Sequence, residues 1–298
     1  MSAFDISAEL AKRSNSKGLR VRQSGPVRYT VGALGDFVSE AGAFGRFLRG
    51  LSVAVPVSRA MMLLILAAFG VQNYAPRAAM LAGARMNAAI INGGQWHRLV
   101  SPVFLHGGGM HLASNLFSLY RVGPLVDAAF GSSRTLLLYL LSGVGGNLAG
   151  LYFGAARGMS IGASGAVFGM IGATGGYVLR NQRALGSYGD MLLKNAFFML
   201  MLNIFIGTRS RGIDNLAHVG GFVSGLLLGV LLAPKAAGGG RGRYDGYGDA
   251  TVEYEGDGAI LPPWATRGLL AATSVAYLVG LKEALRIAQS VVRVYGRA

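Results

Sequence analysis

Four residues in this sequence have the types and spacing of a hydrolytic site. Ser164 lies between glycines in MSIGASGAVFGMIGATGGYVLR (159–180), and His218 lies near the start of NLAHVGGFVSGLLLGVLLA (215–233). His111 and Asn115 stand four apart in GMHLASN, at the start of a third apolar stretch. A serine hydroxyl is a weak nucleophile until a base takes its proton, and an imidazole with an ordinary pKa of ~6.5 does this well. Acyl transfer also needs donors for the oxyanion that develops on the carbonyl. Helix starts offer free backbone N–H groups, and Ser164 sits at one. His111 and Asn115 share a helix face and are side-chain donors for the same anion. Asp214, one turn before His218, is the one acidic residue that approaches its face. The pattern reads as a serine–histidine dyad rather than a triad.

The elements that must position these residues are apolar. Of 298 residues, 52% are hydrophobic and 14% charged, and the mean hydropathy is +0.44, too apolar for an ordinary soluble domain. The 47 glycines suit membrane helices, which use small residues to approach one another closely. The formal charge of +15 sits mostly in the ends and loops. Topology signals and anionic headgroups account for it without nucleic acid, for which no binding motif is present. With no cysteine, the chain has no disulfide, thiol nucleophile or thiolate metal site.

In chain order, residues 1–52 read as a basic polar N-terminal tail and candidate targeting segment, without the apolar core of a secretory signal. A first span is expected over Val57–Tyr74. A long connection, Ala75–Gly109, is too mixed to span and should lie in the interface as short amphipathic pieces. Spans are then expected from His111 to about Phe130, over Thr135–Ala156, Ser164–Leu179, Met191–Ile206 and Asn215–Ala233, with Arg134, Arg157, Arg180, Arg209 and Arg211 at their ends. Residues 235–263 form a glycine-rich polar linker. Residues 264–298 hold a seventh span, with Trp264 and Tyr277 as interface aromatics, and a basic tail. The bundle proper is 53–234.

Spans two, four and six run in one direction, so His111 and Asn115, Ser164 and His218 fall at one depth, on the outer side when the N-terminus is inside. His218 shares its helix face with Gly221, Gly225 and Gly229, and Ser164 shares one with Phe168 and Gly172. Two glycine-faced helices can pack backbone to backbone and bring Ser164 Oγ to His218. Taken singly, a serine or histidine in a membrane helix is a packing residue. Four polar residues converging at one membrane depth point to a site. His106, His111 and His218 could hold a metal, but no HExxH and no carboxylate at ligand spacing accompany them. The GSYGD and GYGD sequences suggest an aspartyl pair only superficially, since Asp249 lies in the linker. Paired midplane charges of a transporter are absent.

These motifs resemble those of the rhomboid intramembrane serine proteases, over about Val57–Ala233. GASG (Gly162–Gly165) is similar to the family's GxSG, which makes Ser164 the nucleophile. AHVGGFVSG is similar to AHxxGxxxG, which makes His218 the base, with Gly221 and Gly225 behind it. HLASN is similar to HxxxN, which places His111 and Asn115 in the oxyanion hole with the Ser164 backbone N–H; His106 fits the same pattern. GQWHRL resembles the Trp–Arg motif of the first loop, giving Trp96 and Arg98 a role in positioning that loop. Asp127 stands where many members carry a glutamate that pins it. The resemblance implies an all-α polytopic membrane protein: a rhomboid-like six-helix transmembrane bundle plus one C-terminal transmembrane helix. It implies cleavage of transmembrane protein substrates entering laterally from the lipid bilayer, with no metal or other cofactor. Relatives without the catalytic pair act as non-proteolytic membrane binding or quality-control proteins, which is the alternative function. The basic, serine-bearing N-terminus favours an organelle membrane, plastid envelope or mitochondrial inner membrane, over the plasma membrane.

Overall fold

A computed structural model describes residues 56–210, 212–236 and 258–295. The expectations for the N-terminal tail, for Arg211, for Asp249 and for most of the linker lie outside the described residues. Helix α1 (Val57–Tyr74) is followed by α2 (Pro76–Gly83), strand β1 (Arg85–Met86), α3 (Asn87–Ile91) and two 3-10 turns, Trp96–Leu99 and Ser101–Phe104. Then come α4 (Gly109–Phe130), α5 (Ser132–Tyr152), β2 (Met159–Ser160), α6 (Ser164–Arg209), α7 (Asn215–Leu232) and α8 (Pro263–Tyr295). Among the described residues, five helices, α1, α5, α6, α7 and α8, are long and apolar enough to cross a membrane. The protein is therefore an all-α polytopic membrane protein. Helix α4 has the length, but His111, Asn115, Arg121 and Asp127 lower its hydropathy.

The spans expected at Ser164–Leu179 and Met191–Ile206 are the two arms of α6, joined through a short break rather than a long loop. The segment is broken at Asn181 and at Gly186, whose φ of 50° favours glycine. Residues 175 and 193 of a straight helix would be about 27 Å apart. Here a Cβ on Gly175 would lie 3.8 Å from Leu193, so α6 doubles back as a hairpin. Below the break, Asn181 grips the end of α7: its Nδ2 donates to the Pro234 carbonyl at 3.0 Å and its Oδ1 accepts from Ala236 N at 2.8 Å.

Helix α5 is central, with 61% of its most apolar stretch buried against 22% for α1 and 17% for α8. Leu137, Leu138 and Tyr139 of α5 meet Leu119 and Val126 of α4 and Met170 and Val178 of α6 in the core. The connection after α1 is built of short pieces, as expected. Its β-bridge to the segment before Ser164, antiparallel with Arg85 opposite Ser160 and Met86 opposite Met159, was not foreseen. Trp264 is exposed, as an interface aromatic should be, whereas Tyr277 is buried and donates to the Leu140 carbonyl at 2.7 Å.

Candidate active site

His111, Ser164 and His218 lie at the starts of α4, α6 and α7, so the three helix starts gather at one end of the bundle. Helices α6 and α7 meet through glycine. A Cβ on Gly221 would overlap the Gly165 carbonyl, and one on Gly225 would overlap the Gly169 carbonyl. Gly165 itself lies 3.4 Å, measured from its Cβ position, from the Ala217 carbonyl, next to the histidine. This backbone contact places His218 Nε2 2.9 Å from Ser164 Oγ.

The imidazole is oriented by stacking. Its ring lies on Phe168 with centroids 4.5 Å apart and planes at 24°. Phe168 is one turn beyond Ser164, so the face that carries the serine also carries the platform for His218. Asp214 does not orient His218 as the third member of a triad would. Its Oδ1 caps α7 by accepting from Ala217 N at 3.0 Å, and its Oδ2 is 2.8 Å from the guanidinium of Arg85. His218 Nδ1 has no hydrogen-bond partner among the described residues.

On the other side of Ser164, Gly162 has a φ of +122° and its missing side chain makes room for His111: a Cβ there would lie 2.8 Å from the imidazole Nε2. His111 Nδ1 accepts from Gly107 N at 3.2 Å, which leaves Nε2 directed toward the serine side. The Asn115 amide donates to the His111 carbonyl of its own helix at 2.8 Å, so it rests against α4.

His106 is fully buried behind this cluster. Its Nε2 lies 3.5 Å from Ala163 N, and its ring meets His111 edge-on at 5.2 Å. Gln72, at the end of α1, pairs with the His106 backbone like a second peptide group, donating to its carbonyl at 2.6 Å and accepting from its N–H at 2.9 Å. Burial, and then the neighbouring His111, push the His106 imidazole down to about 4, so it is neutral near pH 7. Arg98 holds the loop from inside. It donates to the Ala84 and Leu81 carbonyls at 2.7 and 2.6 Å and to Gln95 Oε1 at 2.7 Å. Trp96 projects outward and is 60% exposed.

Asp127 is not where the resemblance puts it. Sixteen residues after His111, it stands about 24 Å down α4. There it caps α1, accepting from Ser58 N at 3.1 Å and from the Ser58 hydroxyl. The loop is fixed by Arg98 and Gln72, and Asp127 fixes the start of α1. Phe168, Gln72 and Arg85 were missed as parts of the site. Phe168 was readable from its place one turn after the nucleophile; Gln72 and Arg85 had no local signal beyond being polar in apolar runs.

The Rhomboid domain family matches residues 93–235, which hold the serine, both histidines of the cluster and Asn115. Putative rhomboid protease YdcA of Bacillus subtilis (strain 168) is 32% identical over 149 residues, covering 50% of this chain and 73% of that protein. The chain belongs to the rhomboid family. It is also 38% identical over 156 residues to Rhomboid protease GluP of the same bacterium, covering 52% of this chain and 29% of GluP. RHOMBOID-like protein 1 of Arabidopsis thaliana is 40% identical over 134 residues, covering 45% of this chain and 34% of that protein. This rhomboid thus spans about a third of the length of two of these relatives. Helices α1, α2, α3 and α8 lie outside the family-matched residues.

Proposed function

We propose that this rhomboid is an intramembrane serine endopeptidase that cuts the transmembrane segments of other membrane proteins. The observation that carries the reading is the 2.9 Å contact between His218 Nε2 and Ser164 Oγ. His218 takes the hydroxyl proton as Oγ bonds to the scissile carbonyl carbon, and the carbonyl oxygen becomes an oxyanion. His111 Nε2, the Ser164 backbone N–H and a rotated Asn115 amide are the donors that receive it. The imidazolium then protonates the leaving amine as the C–N bond breaks. Water, deprotonated by the same histidine, hydrolyses the acyl-enzyme and frees Ser164. No metal or other cofactor is part of this scheme.

Cleavage of a single-span reporter with a small-residue-rich membrane segment, in liposomes, tests it. Cleavage is expected from the unaltered protein and lost in both Ser164→Ala and His218→Ala. Survival of cleavage in Ser164→Ala sinks the assignment. Absence of both cleavage and labelling of Ser164 by a serine-directed probe would favour the non-proteolytic membrane-binding role, whereas labelling without cleavage would point to an unsuitable reporter. Because the base must be neutral, the rate should fall once pH drops far enough to protonate His218; a rate that rises on acidification would remove His218 as base. We further propose an organelle membrane as the location, on the basic N-terminal residues. Fractionation that finds the protein in the plasma membrane would overturn this.

A further inference from the structure

Arg85 stands alone in an apolar run, AGARMN, yet it is 3% exposed. A buried guanidinium is costly unless it is paired. Its partner is Asp214, with NH2 2.8 Å from Oδ2. Asp214 is also the cap of α7: its Oδ1 accepts from Ala217 N at 3.0 Å and its carbonyl accepts from His218 N at 3.1 Å. The helix start that carries the base is therefore held by the carboxylate that Arg85 neutralises.

The backbone of Arg85 does a second thing. It pairs with Ser160 in the two-stranded bridge, four residues before Ser164. The adjoining Asn87 continues the attachment, its N–H donating to the Gly158 carbonyl at 3.0 Å and its amide to the Gly150 and Ala155 carbonyls, both at 2.9 Å. Space for the guanidinium comes from α5, where a Cβ on Gly150 would overlap it. One residue thus joins the chain entering the nucleophile to the helix presenting the base, and α5 backs it.

We propose that Arg85 is a positioning residue for the Ser164–His218 pair, acting through its ion pair with Asp214 and its strand pairing with Ser160. The inference rests on the dyad reading and deepens it. Arg85 lies outside residues 93–235, so the family match does not include it.

The test separates position from stability. Asp214→Asn keeps an oxygen to cap α7 and removes only the charge. Arg85→Gln leaves the half-buried Asp214 unpaired, and should unfold more readily. The double variant, Arg85→Gln with Asp214→Asn, removes both charges, an exchange that buried ion pairs often tolerate. Its melting midpoint is expected to return to that of the parent. Its kcat is expected to stay about ten- to a hundredfold low with KM unchanged, since small misplacements of reacting groups cost rates of that size. Hydrogen exchange should be faster over residues 158–166 and 213–221 in the double variant and unchanged over α1. A double variant whose kcat and exchange both stay within about twofold of the parent would overturn the proposal, because neither segment would then need the pair. If Ser164→Ala retains cleavage, the dyad reading fails by itself, and the exchange measurement still decides whether Arg85 ties the two segments.

Discussion

The seam between α6 and α7 and the seam that holds α8 are built on opposite plans. Along α6–α7 the backbones themselves touch: the Gly165, Gly169 and Ala173 carbonyls occupy the space of Cβ atoms on Gly221, Gly225 and Gly229. No side chain intervenes, so the separation of Ser164 from His218 is set by main-chain contact, which has few alternative states. Helix α8 is attached by side chains. Tyr277 reaches the Leu140 carbonyl and meets Phe104 edge-on at 6.3 Å, while Gly280 receives Val100 from the first loop. Elsewhere Val275, Leu278, Val279 and Leu285 of α8 are exposed for lipid. The lesson is that tolerance to small steric change should differ sharply between the two seams, although both are made of apolar helices.

The largest effect is expected from adding atoms to the first seam. Gly225→Val places a branched side chain where the Gly169 backbone lies, and overpacking of this kind costs about 1–3 kcal/mol or more. Loss of reporter cleavage and a clear drop in melting midpoint are expected. Gly268 of α8 has nothing within 4 Å of its Cβ position, so Gly268→Ala should leave cleavage intact and raise helix stability by up to about 1 kcal/mol. Equal effects of the two substitutions would erase the contrast.

The first loop lies between the seams, and it supplies the next test. Burial lowers the pKa of His97, and burial with the nearby His111 lowers that of His106 to about 4. Both imidazoles hold fewer protons when folded than when unfolded. The stability they support is therefore whole above the ordinary value of ~6.5 and declines as pH falls from there toward about 4. For each histidine the slope in that window is at most about 1.4 kcal/mol per pH unit. Melting midpoints between pH 7 and 5 should fall, and His106→Gln should flatten the fall. A midpoint that does not move with pH would mean the loop takes protons as readily folded as unfolded.

The Ser164–His218 contact was legible because polar residues at matching places stand out in apolar helices, and because spans of alternating direction bring Ser164, His218 and His111 to one depth. Glycines on one face of α7 announced a backbone contact for the same kind of reason. Ion pairs across the fold carry no such mark. Arg85 and Asp214 are single charges in unrelated segments, and only the β-bridge at Arg85 and Ser160, two residues long, brings the first near the second. Asp127 misled for the opposite reason. It suits a motif position, but its place down α4 commits its carboxylate to Ser58. The doubling back of α6 was legible as two spans of opposite direction, while the helical character of the residues between them, broken at Asn181 and Gly186, was not.

The smallest effect is expected at Tyr277, and it sharpens the comparison most. Tyr277→Phe keeps the ring against Phe104 and removes only the hydroxyl that donates to Leu140. A neutral hydrogen bond is worth about 1 kcal/mol net, and the Leu140 carbonyl keeps its place in the α5 ladder. The melting midpoint should fall slightly and exchange in α8 should rise, while kcat and KM for the reporter stay unchanged. That separation follows from the way the pair is held: Ser164 and His218 sit on the α6–α7 backbone contact, and α8 meets α5 at Leu140 and Gly143, away from that contact. Should Tyr277→Phe lower kcat as far as a seam glycine substitution does, α8 would have to act through Leu140 on α5 and thence on the Gly146–Ala217 contact beside His218, where a Cβ on Gly146 would lie 2.6 Å from the Ala217 carbonyl. A loss of kcat in Tyr277→Phe that Gly268→Ala does not share would identify that path and end the division into a rigid seam and a tolerant one.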